Sequence, residues 1–408
     1  MNSTLALIRT DGRWIAVGFA LALASAFGQT FFIALFSEPL RQSFDLSHGS
    51  FGAIYMVATL ASAVTIVQLG RLADTWPARA ITVSVLLGLA VVCAGMAFVP
   101  VWWLLVPLIF GLRLLGQGML SHLSQTLTAR WFVAKRGKAL ALASFGYPVS
   151  EALVPLAAVA LILALGWRGA WIVAAGVLAL VLAPVLAALL SGGERQPTAR
   201  DTADGHSQAS GRGGVHWTRA AVLRDPYFWC LLPGIMAPGF ILTVAFFLPA
   251  HIAEVKGWAF TAVTAQYWIY AVTSIAAAFV CGMAIDRFSA RACLPFYQLP
   301  MALGLLALSF GTPLATMSVT MALFGLTAGS AATLHSALWA EMYGTRHIGA
   351  IKALAHAVMV FATAAGPGVA GLLIDLGASF PDQALVYAGY TAVICALYAM
   401  LTQKIRAA

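Results

Sequence analysis

The decapeptide GRLADTWPAR at residues 70–79 returns as GMAIDRFSAR at residues 282–291, keeping Gly, Asp and Arg in order and at the same spacing. Two more stretches repeat at nearly the same interval. FGLR at Phe110–Arg113 returns as FGLT at Phe324–Thr327, and KALA starts at Lys138 and again at Lys352. Offsets of 212, 214 and 214 residues describe one ancestral half that was duplicated. Each copy of the decapeptide is a polar interruption between long apolar runs, so the duplicated unit is a set of membrane crossings.

The rest of the chain agrees. With 408 residues, 61% hydrophobic and only 9% charged, it has more apolar surface than one aqueous core can hide, and lipid must serve as its solvent. Runs of about 20 apolar residues, the length needed to cross the hydrocarbon, fall near 14–36, 49–70, 79–99, 101–129, 137–164, 168–191, 226–252, 260–285, 292–311, 313–340, 348–376 and 384–403. The expected fold is an all-α membrane protein of twelve transmembrane helices in two six-helix pseudo-symmetric bundles, 1–191 and 226–408, joined by a polar linker at 192–225. The linker is Gly-, Ser-, Thr- and Arg-rich without periodicity, and is expected to be a tether with no binding role.

Lys and Arg set the orientation, because positive loops are retained in the cytoplasm. With both termini cytoplasmic, every basic residue lies inside except Arg41, Arg168 and Lys256, which lie outside, and Arg113, which lies within a span. The net charge of +9 is therefore a topogenic signal and does not call for nucleic acid. The first run is long and lacks a small-residue cleavage pattern, so it is expected to be retained as a span in the cell inner membrane. Five scattered cysteines form no metal-binding spacing, and no metal or cofactor is expected.

The Gly-x-x-x-Asp loops after spans two and eight, the Arg113-x-x-Gly116-x-Gly118 run in span four and the twelve spans in two halves resemble the major facilitator superfamily. The resemblance implies a monomeric secondary transporter. A finer likeness, carried by RWFVAKRGKALALASFG from Arg130 and GWRGAW from Gly166, is to the branch containing monocarboxylate transporters and oxalate/formate antiporters. In that branch an arginine in span eight meets the substrate carboxylate, whereas span eight here has no charge before Asp286. Arg113 matches the superfamily's membrane arginine of span four, which the resemblance links to proton coupling.

An ionisable side chain in lipid costs roughly 2.5–3.5 kcal/mol on insertion scales, so each one needs a local reason. At about 1.5 Å per residue, Arg113 in span four and Glu151 in antiparallel span five both sit near the midplane, where they can meet. Their pairing reads either as a carrier site with Glu151 alternately protonated, or as a permanent ion pair that fixes packing. At 100° per residue Arg113, Gln117, Ser121, Ser124 and Thr128 share one sector of span four, a stripe expected to line a wet cavity. Gln29 and Ser25 of span one, with Ser144 and Tyr147 of span five, are candidate uncharged contacts.

His122 faces away from Arg113 and is expected to hydrogen-bond between helices. Thr327 is the repeat equivalent of Arg113. His335 aligns with Ser121 at the 214-residue offset and is a candidate to carry protons, to bond substrate, or simply to stay neutral and satisfied. Lys352 and His356, spaced i and i+4, share a face at the start of span eleven, where Lys352 is expected to snorkel to the headgroups. In the repeated loops Gly70 and Gly282 are expected to permit close helix approach. Asp74 and Asp286 are expected to pair with bases or cap a helix, and with Arg79, Arg287 and Arg291 to latch one conformation.

The expected function is secondary active transport of a small polar or anionic organic solute, a carboxylate for preference, by proton symport. Its partners are then the solute, protons and the bilayer. Proton-driven export is the alternative. No phosphate-binding loop, zincin motif or nucleophile elbow is present, which argues against an ATP-driven pump or an intramembrane enzyme, and a non-transporting sensor would bring a folded soluble domain.

Overall fold

The computed structural model describes residues 2–132, 136–192, 212, 215 and 217–407. Ten helices among them are long and apolar enough to cross a membrane. One run, Arg136–Leu189, has 54 residues; at 1.5 Å each it would reach about 80 Å, more than twice the hydrocarbon thickness. It breaks at Gly166, whose φ of 72° suits only glycine comfortably, and so makes two crossings. With the shorter apolar helix Leu299–Phe310, this is the twelve-helix plan.

The chain divides into two compact units, residues 1–46 with 53–205, and residues 206–408 with 47–52. The first contains α1 (Asn2–Ala24), α2 (Thr30–Ala34), α3 (Ser37–Phe44), most of α4 (His48–Leu69), α5 (Leu72–Thr75), α6 (Ala78–Ala97), α7 (Leu105–Gly111), α8 (Ser121–Trp131), α9 (Arg136–Ser144), α10 (Gly146–Gly176) and α11 (Ala183–Leu189). The second contains α12 (Arg219–Leu223), α13 (Pro226–Phe247), α14 (Pro249–Lys256), α15 (Phe260–Thr264), α16 (Tyr267–Phe288), α17 (Ala290–Cys293), α18 (Leu299–Phe310), α19 (Ala315–Tyr343), α20 (Ile348–Asp375) and α21 (Phe380–Ala407).

Small residues let these helices touch backbone to backbone. A side chain at Gly325 would sit 2.5 Å from the Tyr270 carbonyl, and one at Gly329 would sit 2.9 Å from the Cα of Ser274, so α19 lies directly on α16. Polar side chains then close the helix ends. Lys256 donates to the carbonyls of Ser309 and Gly311 at 3.0 and 2.9 Å, capping the C-terminal end of α18. Burial lowers the Lys256 pKa, and the Asp382 carboxylate opposes that shift.

Of the expected linker 192–225, residues 193–211, 213, 214 and 216 lie outside the described residues. The last residues of the linker are structured. Thr218 caps α12 by accepting the Ala221 N–H, and Asp225 caps α13 by accepting the Tyr227 N–H. The buried Asp225 carboxylate also binds Arg212 at 3.1 Å and the Tyr343 hydroxyl at 2.9 Å. Composition alone hid this, because the anchoring partners Tyr343 and Tyr227 lie in the apolar spans.

Candidate functional site

In the first unit the chemistry gathers where span one breaks. After α1 a single 3-10 turn, Ser25–Gly28, leads to Gln29 in extended conformation (φ −78°, ψ 154°) before α2 begins. The N–H of Phe32, which would serve the Gly28 carbonyl in a continuous helix, bonds Gln29 instead at 3.2 Å. That orphaned carbonyl takes a hydrogen bond from Arg113 at 3.1 Å, and Arg113 reaches Thr30 Oγ1 at 3.4 Å. Thr30 Oγ1 in turn lies 2.6 Å from the Tyr55 hydroxyl, and the guanidinium carbon sits 5.2 Å from the centre of the Tyr55 ring, a cation–π contact. Arg113 is 3% exposed and its Nε is buried without a hydrogen-bond partner.

Two departures from a regular helix make this possible. Gly28 meets Gly116 so closely that a Cβ on Gly116 would lie 2.6 Å from the Gly28 Cα. Span four then runs as a π-helix over Leu112–Leu120, a form concentrated at functional sites. The π turn changes the angular step per residue, and this upsets the stripe computed at 100°. Ser124 and Thr128 are fully buried, with Ser124 donating to the Gly18 carbonyl at 2.7 Å, so the lower half of the stripe packs against α1 and does not line a wet cavity. Gln117 and Ser121 remain partly accessible.

Arg113 and Glu151 form no ion pair, which corrects the expectation that they meet. The guanidinium is turned toward Gly28, Thr30 and Tyr55. Glu151 stands on α10, one turn beyond Tyr147, partly accessible and without a hydrogen bond or ion pair among the described residues. Near it, Tyr147 donates to the Ser121 carbonyl at 3.5 Å and Gln125 donates to Ser144 at 3.1 Å, a polar seam between spans four and five. Gln29 flanks the arginine through its neighbours Gly28 and Thr30. His122 bonds the Gly70 carbonyl at 3.2 Å, the interhelical link read from its phase.

The repeated loops are held by groups other than their aspartates. Asp74 and Asp286 are exposed and pair with no base and cap no helix among the described residues. Capping falls to Glu341, whose carboxylate accepts the N–H groups of Ala290 and Arg291 at 2.7 and 3.3 Å and pairs with the Arg291 side chain at 3.5 Å. In the first copy Arg130 donates to the Ala73 carbonyl at 3.0 Å. Arg79 is exposed, and Arg287 lies over the Phe288 ring. A Cβ at Gly282 would meet only Thr333, at 4.0 Å, so no close approach requires glycine there.

In the second unit the site grows from a proline. Pro238 has no N–H to give the carbonyl four residues earlier, that of Gly234, and in lipid an unpaired carbonyl must find another donor. Gln298 Nε2 supplies one at 2.8 Å and the Tyr297 hydroxyl another at 3.1 Å. Tyr297 carries the network to His335, whose Nε2 lies 3.2 Å from the hydroxyl. His335 lines a cavity of about 400 Å3 together with Ile235, Ser336, Trp339, Lys352, His356 and Met359. The Lys352 ammonium donates to Ser336 at 2.7 Å, and no carboxylate pairs with it among the described residues. Thr327 stands apart from this group, fully buried, its hydroxyl accepting the Met301 N–H at the start of α18. Sequence reading found Lys352, His356 and His335 separately but missed Tyr297, Gln298 and Ser336; the available signal was a proline four residues after Gly234.

The family model described as Major Facilitator Superfamily matches residues 18–272 and 262–406. No curated protein sequence matches the chain. Among solved structures, a bacterial homolog of the human lysosomal transporter Spinster, inward-facing and unoccupied, is similar with a TM-score of 0.73 and 15% identity, over 97% of this chain and 98% of that one. The nucleoside transporter NupG is similar with a TM-score of 0.70 and 13% identity, over 99% of this chain and 100% of that one. At such identities the likeness is one of fold.

Proposed function

The chain belongs to the major facilitator superfamily, and from that premise we propose that it is a secondary transporter that moves a small amphipathic carboxylate across the membrane by alternating access, coupled to protons through Glu151. One observation carries the substrate class. This cavity of the second unit sets an ammonium that no carboxylate pairs with among the described residues, Lys352, beside Ser336, His335 and His356, and faces them with the apolar side chains of Ile235, Trp339 and Met359. A cation so placed favours an anionic head, and the apolar wall favours a hydrocarbon body. The span-eight arginine of the monocarboxylate branch has no counterpart, and Lys352 of span eleven takes its place in this reading.

Proton coupling rests on Glu151. A carboxyl group in a membrane helix with no cation beside it is tolerated as the neutral acid and ionises where water reaches it, which is the behaviour of a proton carrier. Arg113, engaged with the Gly28 carbonyl, does not quench it. Export by antiport uses the same groups, and the sign of the driving gradient separates the two readings.

The test is counterflow in proteoliposomes holding the full chain. Labelled phenylacetate is expected to exchange against internal phenylacetate, and Lys352→Met is expected to weaken its half-saturation on the order of tenfold or more, as loss of a charge-assisted contact should. Exchange of uridine but of no carboxylate would end the reading. Accumulation driven by acid on the side of uptake identifies symport.

A further inference from the structure

The second unit includes one stretch from far upstream, Ser47–Gly52, where α4 begins. It docks on the ends of α13, α14 and α20. The Gly49 N–H donates to the Asp375 carboxylate at 2.9 Å, Phe51 stacks on Phe247 with ring centroids 5.6 Å apart, and Gly52 lies against the Pro367 carbonyl. The His48 ring meets the His251 ring edge-on at 5.0 Å. His251 is buried, and one of its nitrogens has a fixed role. A backbone amide nitrogen can only donate, so the Phe380 N–H 3.2 Å from Nε2 makes that atom an acceptor. This bond serves the first N–H of α21, one of the donors a helix leaves without an internal partner.

From this geometry we infer that Ser47–Gly52 is held by a proton-labile latch: with His251 neutral the segment stays docked, and protonation of His251 releases it. A proton on Nε2 sets one N–H against another, places a positive charge at the positive end of the α21 dipole, and brings that charge beside the His48 ring. The other ionisable groups on the packed elements are Asp45 before α4, Glu254 and Lys256 of α14, Asp375 of α20 and Asp382 of α21. Both aspartates are engaged, Asp375 with Gly49 and Asp382 with the Ser379 N–H at 3.1 Å. Lys256 is turned to the carbonyls of Ser309 and Gly311, while Asp45 and Glu254 are exposed. The docked form binds one proton fewer than the released form, so docking is favoured above the ordinary histidine range and weakens as pH falls through it. With twelve crossings, every part of the latch lies on the membrane side opposite the two termini, and acid on that side operates it. The latch needs neither Glu151 nor a carboxylate solute.

Hydrogen–deuterium exchange of the purified full-length protein in nanodiscs, read by mass spectrometry and corrected for the chemical exchange rate at each pH, tests the latch. In the wild type the amides of Ser47–Gly52 are expected to exchange on the order of tenfold faster at about pH 5 than at about pH 7.5, while those of α16 keep one rate. His251→Gln retains an acceptor for the Phe380 N–H but cannot titrate, and is expected to bring the ratio of the two rates close to one. His48→Asn leaves His251 in place and is expected to keep most of the acid response. Equal rates at the two pH values in the wild type overturn the inference. An acid response that survives His251→Gln, or one that His48→Asn abolishes, overturns the assignment to His251. An equal rise throughout α16 marks a general loosening in acid and overturns the latch as well.

Discussion

Arg113 donates to a carbonyl that the break after Gly28 leaves without a helical partner, and it does so from a position where no carboxylate among the described residues pairs with it. Removing it leaves that carbonyl orphaned in an apolar surround and opens space beside Tyr55. Arg113→Ala is therefore expected to destabilise the protein by about 1–3 kcal/mol, read as a lower midpoint of thermal denaturation in detergent. Arg113→Lys keeps a single donor and is expected to recover part of the loss; equal midpoints for wild type and Arg113→Ala would show that the guanidinium is no strut. The burial of this arginine was legible in the sequence because a lone basic residue interrupts an apolar run. Its partner was not legible. The depth estimate pointed to Glu151, and nothing in the local pattern announced that Gly28, 85 residues earlier, would offer an unpaired oxygen.

At the scale of elements, Pro238 and the Tyr297–Gln298 pair act as one device: the proline withdraws an N–H and the pair replaces it. Pro238→Ala restores the N–H, so the two ways of satisfying Gly234 become redundant. Gln298→Leu is expected to cost more in the native background than in Pro238→Ala, with an interaction energy of about 1 kcal/mol in a double-mutant cycle of denaturation midpoints. Strict additivity would separate the kink from the network. The glycine crossing permits a second prediction. Gly116→Val drives a side chain into the Gly28 backbone and is expected to destabilise by about 2–3 kcal/mol or to abolish folding, whereas Gly282→Ala, with only Thr333 nearby at 4.0 Å, is expected to change the midpoint little. The number, length and duplication of the helices could be read from hydropathy and repeats, because lipid imposes length and apolarity on every crossing. The 3-10 turn at Ser25–Gly28 and the π-helix at Leu112–Leu120 could not, since they meet at the Gly28–Gly116 backbone contact between distant segments.

For the molecule as a whole, membership of a transporter superfamily makes coupling the property to explain. On the proposed reading, exchange of solute needs only the cavity around Lys352, while accumulation also needs a proton to ride with the solute. The two proposed groups lie in different units of the chain, Glu151 in the first and Lys352 in the second. Glu151→Gln fixes that side chain in the form of its neutral acid, so the proposal expects solute exchange to continue while uphill accumulation against a concentration gradient stops responding to an imposed pH difference. Lys352→Met should do the reverse in kind, weakening both processes together because it removes the contact with the solute itself. Proteoliposomes loaded at one pH and diluted into another, with labelled phenylacetate outside, measure the two quantities on the same preparation. Accumulation by Glu151→Gln that still follows the pH difference as the wild type does would remove Glu151 from the coupling path and leave it a packing residue of α10.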